Sequence, residues 1–237
     1  MHGLILAGGE GSRLAAELGV PKPLVRVGGE TLAVRLLRTL ADLGCETLTF
    51  MARADRRAVV DALAGLQFGP PLTVQTCLTR SSLHTLVEGL RIVPAGPVFC
   101  SMVDSVMPAA DWRLVYEASG RALDAGADAL LAVTPFVDDE SPVYVMVDDN
   151  EIVTAVSDQP VVPPRVTGGV YAFGPAARRG AGQAVEERVE RMRGFLKWLV
   201  ARGQRVATVT VSRIIDIDHE SDLRLANAWL GSAEARG

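Results

Sequence analysis

The chain has 237 residues, of which 49% are hydrophobic and 22% are charged, a composition typical of a globular protein with a substantial core. Its formal net charge of −4 argues against a surface that follows nucleic-acid phosphates. No stretch approaches the ~20 apolar residues of a membrane span, the N-terminus shows no signal-peptide pattern, and the scattered Cys45, Cys77 and Cys100 indicate unpaired thiols. We therefore expect a cytoplasmic protein that binds neither nucleic acid nor membranes.

The first half of the chain alternates strand-like and helix-like segments. A short apolar run predicts a strand at 3–7, and four leucines at helical spacing predict a helix over 31–43. The same alternation continues with strands at 47–51, 72–77, 97–103 and 128–134 and with helices near 55–65, 82–90 and 108–125. This order predicts a largely parallel sheet that is covered by helices on both faces.

The second half has a different character. Two apolar segments joined by Asp-Asp-Asn predict a β-hairpin at 143–147 and 151–156. A strand at about 166–173, a long helix over 185–202, a strand at 205–211 and a last helix from Glu220 follow. The whole chain, 1–237, is predicted to form a single α/β domain, Rossmann-like and three-layered, with a mostly parallel mixed sheet and a small insertion that contains the hairpin.

The first loop is rich in glycine. Residues 4–14 read LILAGGEGSRL, so that three glycines and an arginine follow directly after the predicted first strand. Backbone N–H groups that glycines leave accessible at the end of a strand can bind an anion. The loop matches neither the dinucleotide-binding Gly-x-Gly-x-x-Gly pattern nor the P-loop. A loose surface turn is the alternative.

A lysine between two prolines follows this loop. Residues 21–32 read PKPLVRVGGETL, and the prolines are expected to hold Lys22 in a stiff, extended and exposed segment. Only one other lysine occurs in the chain, Lys197, while the remaining basic residues are arginines. This usage indicates a need for a compact point charge at position 22. A solvated lysine in a rigid loop is the alternative.

These segments, in this order, resemble the N-terminal signature of nucleotidyltransferases that make nucleoside-diphosphate sugars and related activated alcohols, a group with the MobA-like NTP transferase fold. The resemblance implies that the glycine loop wraps the base and phosphates of an NTP, and that an arginine and a lysine grip the phosphates. It assigns catalytic roles to Arg13 and Lys22. It assigns nucleotide binding to Leu6, Ala7, Gly8, Gly9, Gly11 and Ser12.

Carboxylates that could hold a metal stand in two segments. Nucleotidyl transfer needs charge neutralisation, which a divalent metal on carboxylates commonly supplies. Asp104 directly follows the strand at 97–103, where the family has an aspartate, usually after glycine; Val103 replaces that glycine here. The late segment IIDIDHESDLRLA resembles the family's second acidic segment, so Asp216 or Asp218 is expected to complete a Mg²⁺ site with Asp104. The choice between them is open. The alternative for Asp104 is that it caps the following turn, and the alternative in the late segment is that Asp218 or Ser221 starts the last helix.

Two further segments are expected to contact the substrates. The family contacts the nucleobase after the third strand, where this chain has Thr79, Arg80, Ser81 and Ser82; a helix N-cap is the alternative for either serine. We expect His84 to be structural or to bind rather than act as a base. The segment TGGVYAF resembles the strand that lines the acceptor, so Gly168, Gly169 and Asp104 are expected beside the acceptor. A β-bulge is the alternative for the glycines.

The resemblance implies an enzyme that condenses an NTP with a phosphorylated acceptor, such as a sugar 1-phosphate, to give a nucleoside-diphosphate product and pyrophosphate, with Mg²⁺ as cofactor. The NTP is expected on residues 1–134 and the acceptor on residues 135–237. Cytidylyl or guanylyl transfer to a polyol phosphate, phosphocholine, a phosphonate or molybdopterin is an alternative, and so is a nucleotide-sensing pseudoenzyme. The base, the acceptor and any homo-oligomer stay open.

Overall fold

The structure is a computed structural model that describes residues 1–9, 14 and 17–234, with only the backbone described for 232–234. Thirteen strands are present in this part of the chain: β1 (His2–Ala7), β2 (Arg26–Val27), β3 (Glu30–Thr31), β4 (Leu48–Arg53), β5 (Leu72–Cys77), β6 (Val98–Met102), β7 (Ser105–Val106), β8 (Ala129–Thr134), β9 (Tyr144–Val147), β10 (Val153–Ser157), β11 (Val166–Phe173), β12 (Val206–Thr210) and β13 (Ile215–Asp216). The helices are α1 (Leu32–Asp42), α2 (Arg57–Leu63), α3 (Ser82–Ile92), α4 (Ala109–Asp124), α5 (Pro175–Glu186), α6 (Arg191–Ala201) and α7 (Glu220–Glu234), with a 3₁₀ turn at Lys22–Leu24.

Nine of the strands form one mixed sheet. Its main order is β5–β4–β1–β6–β11–β8–β12, and the β9–β10 hairpin joins at the start of β11. The pairings of β1 with β4 and β6, of β4 with β5 and of β8 with β12 are parallel, whereas β11 runs antiparallel to β6 and β8. The chain order reverses at β1, between β4 and β6. Ligands of open α/β sheets bind at such a reversal, outside the carboxyl ends of the strands.

The sheet separates two hydrophobic cores. Along β1, Ile5 and Ala7 belong to one core and Leu4 and Leu6 to the other, as the alternation of side chains along a strand requires. The first core is completed by α1, α2, α4 and α7, and the second by α3, α5 and α6. The predicted three-layer α/β fold with a mostly parallel mixed sheet is confirmed.

Most predicted elements are present, and their ends shift by at most two residues. The predicted unpaired thiols are also found, since Cys45, Cys77 and Cys100 are free. No helix in residues 17–234 is long and apolar enough to cross a membrane.

The long helix predicted over 185–202 is wrong. Two helices occupy this region, because α5 ends at Glu186 and α6 begins at Arg191. Arg188 and Arg191 have φ angles of 63° and 60°, in the left-handed region that glycine normally occupies. The turn between the helices contains no glycine or proline, so the usual sequence signal for a helix end is absent.

A short pairing of two strands brings the segment around Asp216 next to the residues that follow β6. β7 and β13 pair antiparallel, with Ser105 opposite Asp216, and the backbone N–H of Ile217 donates to the Asp104 carbonyl at 3.1 Å. The acidic segment at 214–223 therefore lies beside Asp104, two residues after the end of β6. This pairing positions the aspartates of the candidate active site.

Candidate active site

A cleft of about 430 Å³ opens at the carboxyl end of β1. The end of β1 lines one side and the start of α3 lines the other, with Thr85 and Met102 between them. Seven residues predicted to contact the nucleotide line this cleft: Leu6, Gly8, Gly9, Thr79, Arg80, Ser81 and Ser82. Ala7 lies in a small neighbouring cavity with Gly9 and Lys22. Gly11, Ser12 and Arg13 lie outside the described residues, so their predicted roles stay predictions.

The two described glycines of the loop have different surroundings. A Cβ atom on Gly8 would lie 2.7 Å from Thr85 Oγ1, so Gly8 allows β1 to approach α3 closely. A Cβ atom on Gly9 would have no neighbour within 4 Å among the described residues. Gly8 is thus required by packing, whereas Gly9 faces open space in the cleft.

The serines at the start of α3 hold the start of α6. Ser81 Oγ accepts the backbone N–H of Arg191 at 3.2 Å, and Ser82 Oγ accepts that of Met192 at 2.9 Å. Ser81 is the N-cap residue of α3, but its side chain makes no capping hydrogen bond there. Ser81 thus occupies the N-cap position that the alternative predicted, but its hydroxyl does not cap the helix. The two hydroxyls instead join the first cleft to the start of α6.

His84 is a structural partner of these residues. Arg80 Nε donates to His84 Nε2 at 2.9 Å, so Nδ1 of a neutral His84 carries the proton and donates to Ser81 Oγ, 2.8 Å away. Burial and the nearby Arg80 guanidinium lower the pKa of His84, which favours this neutral form.

Lys22 lies between two carboxylates. Its Nζ donates to Asp104 Oδ2 at 2.7 Å and to Asp218 Oδ1 at 2.5 Å. The exposed fraction of the side chain is 10% for Lys22, 17% for Asp104 and 47% for Asp218. Burial alone lowers the pKa of Lys22, but the charges and hydrogen bonds of both aspartates raise it well above its ordinary value. The ammonium is therefore charged throughout the physiological range.

Two details of the prediction for Lys22 are wrong. The residue begins the 3₁₀ turn Lys22–Leu24 instead of lying in an extended segment, since the N–H of Leu24 donates to the Pro21 carbonyl at 2.8 Å. Its side chain is almost buried instead of exposed, because it points to carboxylates that arrive from distant parts of the chain.

Asp216 completes a cluster of three aspartates. Burial and the like charges of Asp104, Asp139 and Asp218 raise its pKa well above its ordinary value. Ser105 Oγ lies 3.3 Å from Asp216 Oδ1 and donates to the Gly168 carbonyl at 2.8 Å. Asp216 and Asp218 line the same cavity.

The carboxylates suit a divalent cation whose remaining ligands are substrate oxygens. Mg²⁺ binds carboxylate oxygens and is commonly held by one or two carboxylates together with phosphates. Within the described residues, no group of three or more His, Cys, Asp or Glu side chains is already arranged to hold a metal ion. Asp104 with Asp216 or Asp218 therefore fits Mg²⁺ only together with phosphate ligands, and the predicted metal site stays a prediction.

The capping alternatives for the acidic segment are not what the structure shows. Asp222, in the first turn of α7, accepts the backbone N–H groups of Asp218 at 2.9 Å and of His219 at 2.7 Å. This leaves the Asp218 carboxylate directed at Lys22.

A second cleft, of about 230 Å³, adjoins the first. Ser82 and Met102 line both clefts. The three aspartates, Asp104, Asp216 and Asp218, line the second cleft together with Gly169, Tyr171 and the start of α6. Met102, at the end of β6, thus lies where the two clefts adjoin. Lys22 contacts Asp104 and Asp218, two of the carboxylates that line the second cleft.

Both glycines at the start of β11 are explained by packing. A Cβ atom on Gly168 would lie 2.5 Å from Ile214 Cγ2, and one on Gly169, where φ is 75°, would lie 2.6 Å from Ser105 Oγ. The register of β11 against β8 shifts between Thr167 and Tyr171, so the bulge alternative is confirmed. Of the two, only Gly169 lines the second cleft, and acceptor binding by these glycines stays a prediction.

Several residues of the two clefts were missed by sequence analysis. The first cleft includes Arg53, at the end of β4, and the second cleft includes Asp139, Arg191 and Arg193. Of these four residues, only Arg53 could have been predicted from the sequence. It stands just after a predicted strand, and parallel neighbouring strands end at the same edge of the sheet. The other three come from loops and helix starts whose position depends on the tertiary fold.

The model of the MobA-like NTP transferase domain family matches residues 3–185. The chain belongs to this family. Among curated relatives, it is 31% identical over 176 residues to a 2-C-methyl-D-erythritol 4-phosphate cytidylyltransferase of Saccharopolyspora erythraea, covering 66% of this chain and 72% of that protein. It is 26% identical over 189 residues to a mannose-1-phosphate guanyltransferase of Pichia angusta, covering 74% of this chain but only 50% of the relative.

The fold is also that of solved nucleotidyltransferase structures. A putative glucose-1-phosphate thymidylyltransferase from Bacillus anthracis, in complex with a sucrose, superposes with a TM-score of 0.82 over 97% of this chain and 95% of that one, at 18% identity. The predicted membership of a nucleotidyltransferase family is confirmed.

Proposed function

We propose that this chain transfers a nucleotidyl group from an NTP to a phosphorylated small-molecule acceptor and releases pyrophosphate. The observation that carries the proposal is the pair of adjoining clefts, together with Lys22, which lines a small cavity with Gly9 and Arg53 of the first cleft and contacts Asp104 and Asp218 of the second. The first cleft is lined by Gly8 and Gly9, the described glycines of the family's loop, and suits the NTP. The second contains the aspartates and suits the acceptor.

The reaction needs no general base on the protein. The acceptor phosphate is already ionised at neutral pH, so one of its oxygens can attack the α-phosphorus in line. The new O–P bond forms while the bond from the α-phosphorus to the pyrophosphate oxygen breaks, and the pyrophosphate leaves with its electron pair. Orientation of two anions and compensation of their charge therefore account for most of the catalysis.

Named groups of this chain supply these effects. The loop around Gly9 lets the backbone approach the nucleotide, and Lys22 offsets negative charge as pyrophosphate leaves. Arg13 is proposed to assist from the same loop. Mg²⁺ bound by Asp104 and by Asp216 or Asp218 would supply further neutralisation of the phosphates.

The acceptor is proposed to be a sugar phosphate or polyol phosphate. The names of the relatives and of the structural neighbour include three such phosphates, of mannose, methylerythritol and glucose, but three different bases. The base therefore stays open. The proposed division into an NTP half and an acceptor half within one domain is approximate, since Ser82, Met102 and Asp104 of the first half also line the acceptor cleft.

Pyrophosphate release provides the test. The purified chain would be incubated with Mg²⁺ and each of the four common NTPs, crossed with a panel of sugar 1-phosphates, polyol phosphates and phosphocholine. A productive pair that is lost in Lys22→Ala would support the transferase. NTP binding by thermal shift without turnover on any acceptor would favour the nucleotide-sensing pseudoenzyme instead, and absence of both would contradict the proposal.

A further inference from the structure

Arg191 combines an unusual backbone with a position in the acceptor cleft. It lines the second cleft, its residue is exposed, and its φ angle is 60°. A side chain other than glycine is disfavoured in this left-handed region, and such strain persists only where the surroundings hold it. Arg188, in the same turn, has the same backbone conformation with a φ of 63° but does not line either cleft.

The nucleotide cleft holds this backbone in place. The N–H of Arg191 donates to Ser81 Oγ at 3.2 Å, and that of Met192 donates to Ser82 Oγ at 2.9 Å. Arg80 Nε also lies 3.8 Å from a carboxylate oxygen of Glu190. Three consecutive residues at the start of α3 therefore contact three consecutive residues at the start of α6. The position of Arg191 is set by the helix that begins in the nucleotide cleft.

The charges of the acceptor cleft are unequal. Four aspartates line it: Asp104, Asp139, Asp216 and Asp218. Of the two arginines that line it, Arg193 already has partners: its guanidinium donates to Asp158 Oδ1 at 3.1 Å and to the Ser141 carbonyl at 2.7 Å. The Arg191 guanidinium has no hydrogen bond or ion pair to any residue that the structure describes. Arg191 is thus an unpaired cation, among the described residues, at a cleft in which Lys22 already offsets Asp104 and Asp218.

We propose that the Arg191 guanidinium binds the phosphate of the acceptor. This inference rests on the proposed function, which brings a phosphorylated acceptor into this cleft. Lys22 is already engaged by Asp104 and Asp218 and Arg193 by Asp158, so among the described lining residues Arg191 is the cation still available to a phosphate. Its planar guanidinium can donate two parallel hydrogen bonds to two phosphate oxygens. Because Ser81 holds the backbone of Arg191, the nucleotide cleft and the acceptor phosphate are mechanically connected.

The two left-handed arginines allow a matched comparison. Arg191→Gly and Arg188→Gly both relieve the same backbone strain, but only the first removes a side chain from the cleft. Binding of glucose 1-phosphate, inositol 1-phosphate and glycerol 3-phosphate would be measured by calorimetry, and steady-state kinetics by pyrophosphate release. We expect Arg191→Gly to raise the Kd and KM of the acceptor by about 10- to 100-fold, with little change in the KM of the NTP. Arg191→Lys should recover part of this loss.

The outcomes separate this inference from the proposed function. An unchanged acceptor Kd in Arg191→Gly, or an equal rise in Arg188→Gly, would overturn the role of Arg191. Failure of the wild-type chain to bind any of these phosphates would overturn it as well. Binding that depends on Arg191, without pyrophosphate release from any NTP, would support the phosphate site and count against the transferase alone.

Discussion

Lys22 Nζ donates to Asp104 Oδ2 at 2.7 Å, although the two residues are 82 positions apart in the chain. The contact joins the proline-flanked turn after the glycine loop to the end of β6. It places a mostly buried positive charge against two carboxylates of the second cleft before any substrate arrives. A cation that is already positioned needs little rearrangement to stabilise charge in a transition state.

Replacement of Lys22 by alanine should therefore affect both turnover and stability. We expect turnover to fall by about 100- to 1,000-fold, because the positive charge beside the carboxylates of the second cleft is lost. We also expect the free energy of unfolding to fall by about 1–3 kcal/mol, since Asp104 loses its partner while mostly buried. Kinetics of pyrophosphate release and urea unfolding measure the two effects.

Lys197→Ala is the matched control, because it removes the only other lysine of the chain. Lys197 pairs with Asp158, and both side chains are more than a third exposed. Its loss should leave turnover within about threefold and stability within about 1 kcal/mol of the wild type. Near-normal turnover of Lys22→Ala would contradict the role given to Lys22.

The glycines of the first loop should respond differently to alanine. Gly9→Ala should leave the free energy of unfolding almost unchanged, because its Cβ would meet none of the described residues within 4 Å. It should raise the KM of the NTP, because the backbone is proposed to approach the nucleotide there. Gly8→Ala should lower the unfolding free energy by about 1–3 kcal/mol, since its Cβ would lie 2.7 Å from Thr85 Oγ1. Thermal unfolding and NTP kinetics on both variants provide the check, and equal destabilisation would contradict it.

The sequence predicted the parts of this molecule that depend on local pattern. Apolar runs and helical spacing located the sheet and most helices, and the segments with Gly8, Lys22, Asp104 and Asp218 indicated the residues that the fold brings together. These segments could be recognised from their composition and from their position after a predicted strand. They did not reveal that Lys22 is nearly buried, because its partners lie far away in the chain.

The remaining features depend on contacts between distant segments. The break between α5 and α6 was missed because arginines occupy the left-handed positions at 188 and 191, and the β7–β13 pairing is only two residues long. Ser81 and Ser82 were predicted to face the nucleotide, yet their hydroxyls also hold α6. The contact of these hydroxyls with α6 depends on tertiary packing, and no local sequence pattern predicts it.

Asp104→Asn should make activity far less responsive to Mg²⁺. The amide keeps the shape of the side chain but loses the negative charge that pairs with Lys22 and that is proposed to attract Mg²⁺. We expect at least about a 100-fold loss of turnover at any Mg²⁺ concentration, while a chelator should abolish wild-type activity. Asp61→Asn is the control, since Asp61 is exposed and pairs only with Arg57 one helical turn away. A fully active Asp104→Asn enzyme would place the metal elsewhere.

His84 should titrate below its ordinary range. Burial and Arg80 lower its pKa, so its contribution to stability is complete above about pH 6.5 and is lost as the pH falls through the lowered folded value. Histidine-resolved NMR should place the midpoint below 6.5, and Arg80→Ala should raise it. Arg91→Ala, which removes an exposed arginine of the same helix, should leave it unchanged. A midpoint at or above 6.5 in the wild type would contradict the assigned Arg80–His84 hydrogen bond.

Arg178 should be a stabilising residue of the helix that carries Ser81 and Ser82. From α5, its guanidinium donates to the carbonyls of Leu90, Val93, Pro94 and Gly96, where α3 ends and the next loop begins. Arg178→Ala would leave partly buried carbonyls without a donor, at a cost of about 2–3 kcal/mol, which lowers Tm by roughly 4–10 °C in a chain of this size. Thermal unfolding against Arg179→Ala, an exposed neighbour, tests this. Equal Tm values for the two variants would show that the carbonyls find water instead.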